Sequence, residues 1–278
     1  MTSPPVNITI LVDNKARKGL ASEHGLSLWI DTGSEHILLD TGQAAALARN
    51  SRTLGVDLAT TDILVLSHGH YDHTGGIPHV ARHAPAVEAY YHPGVFRNRY
   101  VIRDGRSKVI GMPEQAKSAL DKLPSARLHP VQEPLMLTAA VGVTGPIPRL
   151  AAYEDTGGRF YFDPEGMEPD PIDDDLALWV RTASGVVICL GCAHSGVTNT
   201  LDYVVRLSQT TRIRAVIGGF HLLDASPDRI EQTVSALQSF APDMLVPCHC
   251  TGERAVNSLL EAFGERVSLG KAGANYRF

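Results

Sequence analysis

Ser67-His68-Gly69-His70-Tyr71-Asp72-His73-Thr74-Gly75-Gly76 follows directly on the apolar run Ile63-Leu64-Val65-Leu66. Three imidazoles and one carboxylate thus stand within six residues at the end of a strand-like segment. Neutral imidazole and carboxylate are the borderline ligands that suit zinc and its first-row neighbours. In an extended loop His68 and His70 alternate and point the same way. Asp72 and His73, at the next turn, face a second position a few ångströms away. The spacing therefore suggests two metal ions rather than one. A polar loop of surface histidines is the plain alternative, and the strand context speaks against it.

Three later histidines share that setting. His194 sits in Gly191-Cys192-Ala193-His194-Ser195-Gly196, after Val186-Val187-Ile188-Cys189-Leu190. His221 ends Ile217-Gly218-Gly219-Phe220-His221, and His249 lies in Val246-Pro247-Cys248-His249-Cys250. Each time an apolar strand ends, a Gly- or Pro-rich turn carries a histidine, and an amphipathic helix pattern follows. In open α/β sheets ligands bind beyond the carboxyl ends of strands, so four strand ends are expected to converge on one site. His24, His36, His79, His83, His92 and His129 mostly lack that setting.

With later single histidines, His68-x-His70-x-Asp72-His73 resembles the metallo-β-lactamase superfamily over nearly the whole chain, including Leu38-Leu39-Asp40-Thr41-Gly42 as its first motif. Leu11-Val12-Asp13-Asn14, Thr144-Gly145-Pro146-Ile147-Pro148-Arg149, Gly218-Gly219-Phe220-His221 and His249-Cys250-Thr251-Gly252 are similar to the branch named for dihydropterin-(ribofuranosyl)aminobenzene-phosphate synthase. The resemblance implies an α/β fold, a four-layer αβ/βα sandwich. The branch's name is a weak guide to activity, because one fold hosts many reactions.

Composition agrees. The 278 residues suffice for one large domain or two small ones, and 44% hydrophobic content is ample for a core. A net charge of −5 gives no support for a nucleic-acid or membrane partner. Cys189, Cys192, Cys248 and Cys250 flank the histidine motifs and form no spaced disulfide framework. Cys189-x-x-Cys192 has the spacing of a redox or zinc pair, but small residues packed beside a metal loop are the preferred account. Cys248 and Cys250 read as groups supporting His249. The N-terminus has no basic start and no long apolar region, and no apolar run approaches a membrane span. A reducing cytoplasm is the expected setting.

Strands are expected over 6–12, 26–30, 35–39, 62–66, 86–91, 176–182 and 185–190. Helices are expected over 43–52, closed by Gly55, and over 74–83. Ser226-Pro227 is a cap followed by proline, with Ile230, Val234, Leu237 and Phe240 on one face. A last helix opens at Thr251-Gly252-Glu253 and stops at Gly264, with Val256, Leu259, Leu260 and Phe263 inward. Residues 92–175 have weak periodicity, and we read them as an insertion over the site within one domain spanning 1–278.

These readings give an expected site. His68, His70 and His194 hold one ion; Asp72, His73 and His249 hold the other. Two Zn2+ per chain are expected, with Mn2+ or Fe2+ as substitutes. The superfamily's bridging aspartate corresponds to His221, and the nearest acid is Asp224. His221 therefore either ligates or contacts substrate. Asp40 is expected to orient a ligand imidazole, with a turn-forming Asp-Thr-Gly as the local alternative. A metal-bound hydroxide, its water's pKa lowered toward ~7, would attack an ester-like bond: phosphoester, lactone or thioester. Asp72 would hold that water. The expected substrate is a small anionic metabolite, which the branch's name implies to be pterin-related, with Arg97 and Arg149 as anion contacts. Phe96, Tyr100 and Tyr153 are available to stack on a flat ring. Two other classes remain: an iron-dependent redox enzyme, and a metal-containing binding protein without turnover. The diiron branch carries an acid at the position of His70, so the histidine there favours hydrolysis.

Overall fold

The computed structural model describes residues 5–278; the leader-peptide reading turns on residues 1–4 and lies outside the described residues. In chain order the strands begin β1 (Asn7–Val12), β2 (Ser27–Asp31), β3 (His36–Leu39), β4 (Ile63–Val65) and β5 (Glu88–Tyr91). Next come β6 (Tyr100–Arg103), β7 (Arg106–Val109), β8 (Leu128–Pro130), β9 (Leu135–Met136), β10 (Val141–Val143) and β11 (Phe160–Tyr161). The last are β12 (Ala177–Thr182), β13 (Gly185–Leu190), β14 (Ile213–Gly219), β15 (Leu245–Cys248) and β16 (Asn275–Arg277). The helices are α1 (Ala45–Leu54), α2 (Tyr71–Thr74), α3 (Ile77–His83), α4 (Glu114–Asp121), α5 (Val197–Ser208), α6 (Pro227–Phe240) and α7 (Glu253–Phe263).

A seven-stranded sheet runs β16-β1-β2-β3-β4-β5-β8, and a six-stranded sheet runs β15-β14-β13-β12-β10-β9. Period-two alternation decides how they stack. In β12, Leu178 and Val180 enter the core between the sheets, while Ala177 and Trp179 face the helices. In β13, Val187 and Cys189 point to the first side and Val186, Ile188 and Leu190 to the second. In β2 and β3, Leu28, Ile30, Ile37 and Leu39 point to the shared core, and Trp29 and Leu38 to the opposite face. That outer face carries Ala46 and Leu47 of α1, Ile77 and Val80 of α3, and Ala116 and Leu120 of α4. The other carries Leu201 of α5, Ile230 and Leu237 of α6, and Leu259 of α7. Both sheets are apolar on both faces, so only helix, sheet, sheet and helix stacked together cover them. Each fully buried Leu or Ile contributes about 1.5–3 kcal/mol.

Local signals behave as expected at several ends. Gly55 closes α1 at φ 71°, and Ser226 Oγ accepts from Arg229 N–H at 3.2 Å with Pro227 in the first turn. The helix expected over 74–83 is broken after Thr74. A Cβ on Gly76 would overlap the Thr41 carbonyl oxygen, and the close approach of the Thr41 loop turns the chain there. On α7, Ala255, Leu259 and Phe263 are buried while Leu260 faces solvent, contrary to expectation. Residues 92–175 divide among three places: β8 extends the first sheet, β9 and β10 the second, and β6 and β7 pair with β11 in a separate three-stranded sheet. No helix of the described residues is long and apolar enough to cross a membrane.

Candidate metal centre

β3 and β4 are parallel neighbours in one sheet, and β13, β14 and β15 in the other. Their carboxyl ends deliver Asp40, His68, His194, His221 and His249 to one side of the sandwich. Asp40, Ala193, His221 and His249 all have left-handed backbones, with φ of 60°, 54°, 44° and 46°. Such conformations cost non-glycine residues on the order of 1–3 kcal/mol and persist where surroundings over-determine them.

The surroundings do so through oxygens. His73 Nδ1–H donates to Asp40 Oδ2 at 2.6 Å. His194 Nδ1 is 2.8 Å from the Thr156 carbonyl oxygen, and His249 Nδ1 is 2.8 Å from Asn14 Oδ1. His68 Nδ1 is 2.8 Å from Ser67 Oγ, whose own proton goes to Asp40 Oδ2 at 2.7 Å. All four rings thus engage oxygens through Nδ1–H and turn Nε2 inward, the orientation a ligating histidine needs, although His73 at neutral pH still holds a proton there. His68 Nε2 faces His70 Nδ1 at 2.9 Å, and His73 Nε2 faces His249 Nε2 at 3.3 Å. Asp72 Oδ2 is 3.3 Å from His249 Nε2. Two free nitrogens do not face each other at such range without a proton or cation between them. A tetrahedral zinc with ~2.0–2.1 Å Zn–N bonds spaces its nitrogens ~3.3–3.4 Å apart. His70 Nε2, His194 Nε2 and His221 Nδ1 are buried without a partner. The donor set fits divalent cations.

Protonation differs between the halves. Burial, then the neighbouring histidines, holds the His68 imidazole well below its ordinary range, and burial then Arg99 does so at His70. His194 is likewise held down by burial and then His221, so this half is neutral and ready to ligate. His73 is the opposite: burial pulls it down, but the Asp40 and Asp72 carboxylates outweigh that and raise it to about 9. Burial, followed by His249 and Arg229, lowers His221 to about 3.

The structure brings together His68, His70, Asp72, His73, His194 and His249, with His221 beside them, its ring centroid 4.2 Å from that of His194. Asp40 Oδ2 accepts from both His73 Nδ1–H and Ser67 Oγ–H beside these groups. Asp224 lies apart, exposed and 3.5 Å from Arg103. The two arginines are elsewhere engaged. Arg149 donates to the carbonyls of His194 at 2.8 Å, Pro171 at 2.5 Å and Ile172 at 3.2 Å. Its guanidinium holds the His194 loop rather than facing the centre with free donors. Arg97 lies over the Phe162 ring and pairs with Glu168 at 3.2 Å. Of the aromatics, Phe96 packs on Tyr91, and Tyr153 Oη bonds Thr198 Oγ1 at 2.7 Å. Phe160 stands beside the histidines, with its ring centroid 5.3 Å from His70 and 5.4 Å from His194.

Other residues come into view only in three dimensions. His24 Nε2 lies 3.0 Å from Asp72 Oδ2. Asn14 and Asp13 hold His249 through its ring and its backbone N–H, the latter at 2.7 Å. Cys192 Sγ is 3.1 Å from His73 Nε2, where packing beside the loop was the preferred reading. Buried Arg99 binds Asp170 at 2.7 Å and Asp174 at 2.5 Å, while Asp174 Oδ2 accepts from Gly69 N–H at 2.8 Å. The Asp13-Asn14 pair lay in a segment already singled out; for His24 and Arg99 no local pattern exists. Gly191 has a steric reason, since a Cβ there would overlap Ser67 Oγ. A groove of about 920 Å3 lined by Pro78, His79, Arg82 and Lys122 lies elsewhere, and none of these ligand candidates lines it.

A two-sheet sandwich with histidines and aspartates at its strand ends defines a class, and the comparisons agree: the chain matches the Metallo-beta-lactamase superfamily over residues 23–205 and belongs to it. Among its relatives is the uncharacterised protein MJ0448 of Methanocaldococcus jannaschii, 33% identical over 91% of this chain and 93% of the relative. Another, from the same organism, is named 7,8-dihydropterin-6-methyl-4-(beta-D-ribofuranosyl)-aminobenzene-5'-phosphate synthase; it is 28% identical over 92% of this chain and 90% of its own. The crystal structure of Tm1679, described as a metal-dependent hydrolase of the beta-lactamase superfamily, superposes with a TM-score of 0.81 at 28% identity, covering 98% of each chain.

Proposed function

We propose that the protein is a metal-dependent hydrolase with a two-ion centre, acting on an ester-like bond of a small anionic metabolite. The observation that carries this reading is the set of rings whose Nδ1 is taken by an oxygen, turning His68 Nε2 to His70 Nδ1 at 2.9 Å and His73 Nε2 to His249 Nε2 at 3.3 Å. His68, His70 and His194 would hold one ion; Asp72, His73 and His249 the other. Bound divalent ions would supply Lewis acidity and lower the pKa of a coordinated water. Asp72, ionised and buried, would orient that water and accept its proton. The Phe160 ring would wall the site off from bulk solvent, and the three-stranded sheet that carries it would serve as the lid. The synthase-named relative makes a phosphorylated, pterin-linked substrate one member of the class to test.

Metal analysis tests the core of the proposal. Wild-type protein, metal-supplemented and desalted, should hold two ions per chain and lose ester or phosphoester hydrolysis on chelation. A metal-free yet active protein sinks the reading. His221→Ala should bind fewer ions; an unchanged stoichiometry moves His221 to the substrate.

Uptake should also depend on pH. A metal at His73 must displace the proton that Asp40 helps retain up to about 9. Proton and metal compete, so affinity rises with pH until about 9 and then levels. Calorimetry in two buffers of different ionisation enthalpy should show proton release near neutrality; no release contradicts the assignment.

A further inference from the structure

Cys192 lies where the two halves of the centre meet. It belongs to three groupings whose ligand atoms all lie within 4.8 Å of one another: with His68 and His194, with His73 and His249, and with His221 and Cys250. Its Sγ is 3.1 Å from His73 Nε2, and the residue is 3% exposed. One sulfur is therefore in ligand range of nitrogens from both halves.

Of the other anionic donors among the described residues, only Asp40 shares a grouping with both halves, and its oxygens are engaged. Among the described residues the carboxylates in such groupings are those of Asp72 and Asp40. Asp72 lies on the His24 and His249 side, and Asp40 is taken up by Ser67 and His73. Cys189 faces the core between the sheets, and Cys248 Sγ is turned to the Val246 carbonyl oxygen at 3.3 Å. Cys250 Sγ, 3.8 Å from the Cys192 carbonyl oxygen, shares a grouping with Cys192 and His221 alone and with none of His68, His73, His194 or His249. The loop itself is pinned by the Gly219 N–H bond to the Gly191 carbonyl at 2.9 Å. A Cβ on Gly219 would come within 2.6 Å of Cys250 Sγ and 3.3 Å of Cys192 Cα, so glycine lets this strand end approach the sulfurs.

Two divalent ions ~3.5–4 Å apart repel each other, and an anionic atom with several lone pairs between them offsets that. Thiolate meets both requirements. We infer that Cys192 is a ligand of this centre, bound through Sγ and shared between the two ions. The inference rests on the two-ion reading above. On binding, the S–H bond breaks, the sulfur–metal bond forms, and the proton leaves to solvent with no change in oxidation state. Sulfur ligation would bias the centre toward zinc over manganese or magnesium.

Cobalt substitution tests this. Adding Co2+ to metal-free protein should raise a thiolate-to-cobalt charge-transfer band in the near ultraviolet. The band should vanish in Cys192→Ser and persist in Cys250→Ser, and Cys192→Ser should bind its second ion at least tenfold more weakly. X-ray absorption of zinc-loaded wild type, which needs no variant, should show a sulfur neighbour at ~2.3 Å. Two bound ions with neither band nor sulfur neighbour overturn the thiolate ligand and leave the two-ion reading standing. A band lost only in Cys250→Ser transfers the ligand to Cys250 and equally overturns the inference. A wild type that binds neither cobalt nor zinc removes the two-ion reading, and the Cys192 ligand with it.

Discussion

Asp72→Ala is expected to lower kcat by on the order of 10³-fold at saturating metal, about 4 kcal/mol of barrier. The carboxylate lies 3.0 Å from His24 Nε2 and 3.3 Å from His249 Nε2. Burial opposes its charge, but His24, His249 and His73 outweigh burial and hold the carboxyl well below its usual range. These contacts favour its charged form. Removing it deletes a proposed metal ligand, which is also the group proposed to orient the attacking water. Asp72→Asn keeps the shape and loses the charge, so it should fall nearly as far if charge is the working feature. The readout is kcat on an ester and phosphoester panel, with metal content measured on the same samples. A near-wild-type rate in Asp72→Ala, metals intact, contradicts the mechanism.

Arg99→Ala should cost about 3–5 kcal/mol of stability, because it strands two buried carboxylates without their cation. Arg99 and its partners Asp170 and Asp174 are all 1% exposed or less at the side chain. Asp174 also accepts from Gly69 N–H, so the loss reaches the loop between His68 and His70. Arg97→Ala is the matched control. Its pair with Glu168 is 52% and 64% exposed, and such surface pairs are worth about 0–1 kcal/mol. Urea unfolding of both variants decides. If Arg99→Ala unfolds within 1 kcal/mol of wild type, the buried triad does not carry the loop.

Much of the architecture is local, and so legible. Strands such as Gly185–Leu190 alternate between two apolar faces within one short run. Helix ends at Gly55 and Ser226 follow from backbone freedom and a single side-chain bond. The break at Gly75-Gly76 was not legible, because the atoms that force it belong to Thr41. Leu260 failed for a related reason. A periodic apolar position shows that a face exists, not how far its neighbours extend to cover it.

The same division runs through the centre. The chain by itself determined that histidines and Asp72 gather at strand ends, because strand, turn and ligand are contiguous in sequence. Asp40 belonged to that reading too, sitting one residue beyond β3. Only the tertiary structure decided which groups stand around them. It drew His24 to Asp72, Asn14 to His249 and Cys192 to His73, across sequence separations that no local pattern encodes. It also took Arg149 from the substrate and gave it to backbone carbonyls. The physical reason is that ligand candidates are announced by chemistry repeated in one stretch of chain. Their partners are chosen by distance, and distance is set by how two sheets stack and where their loops cross.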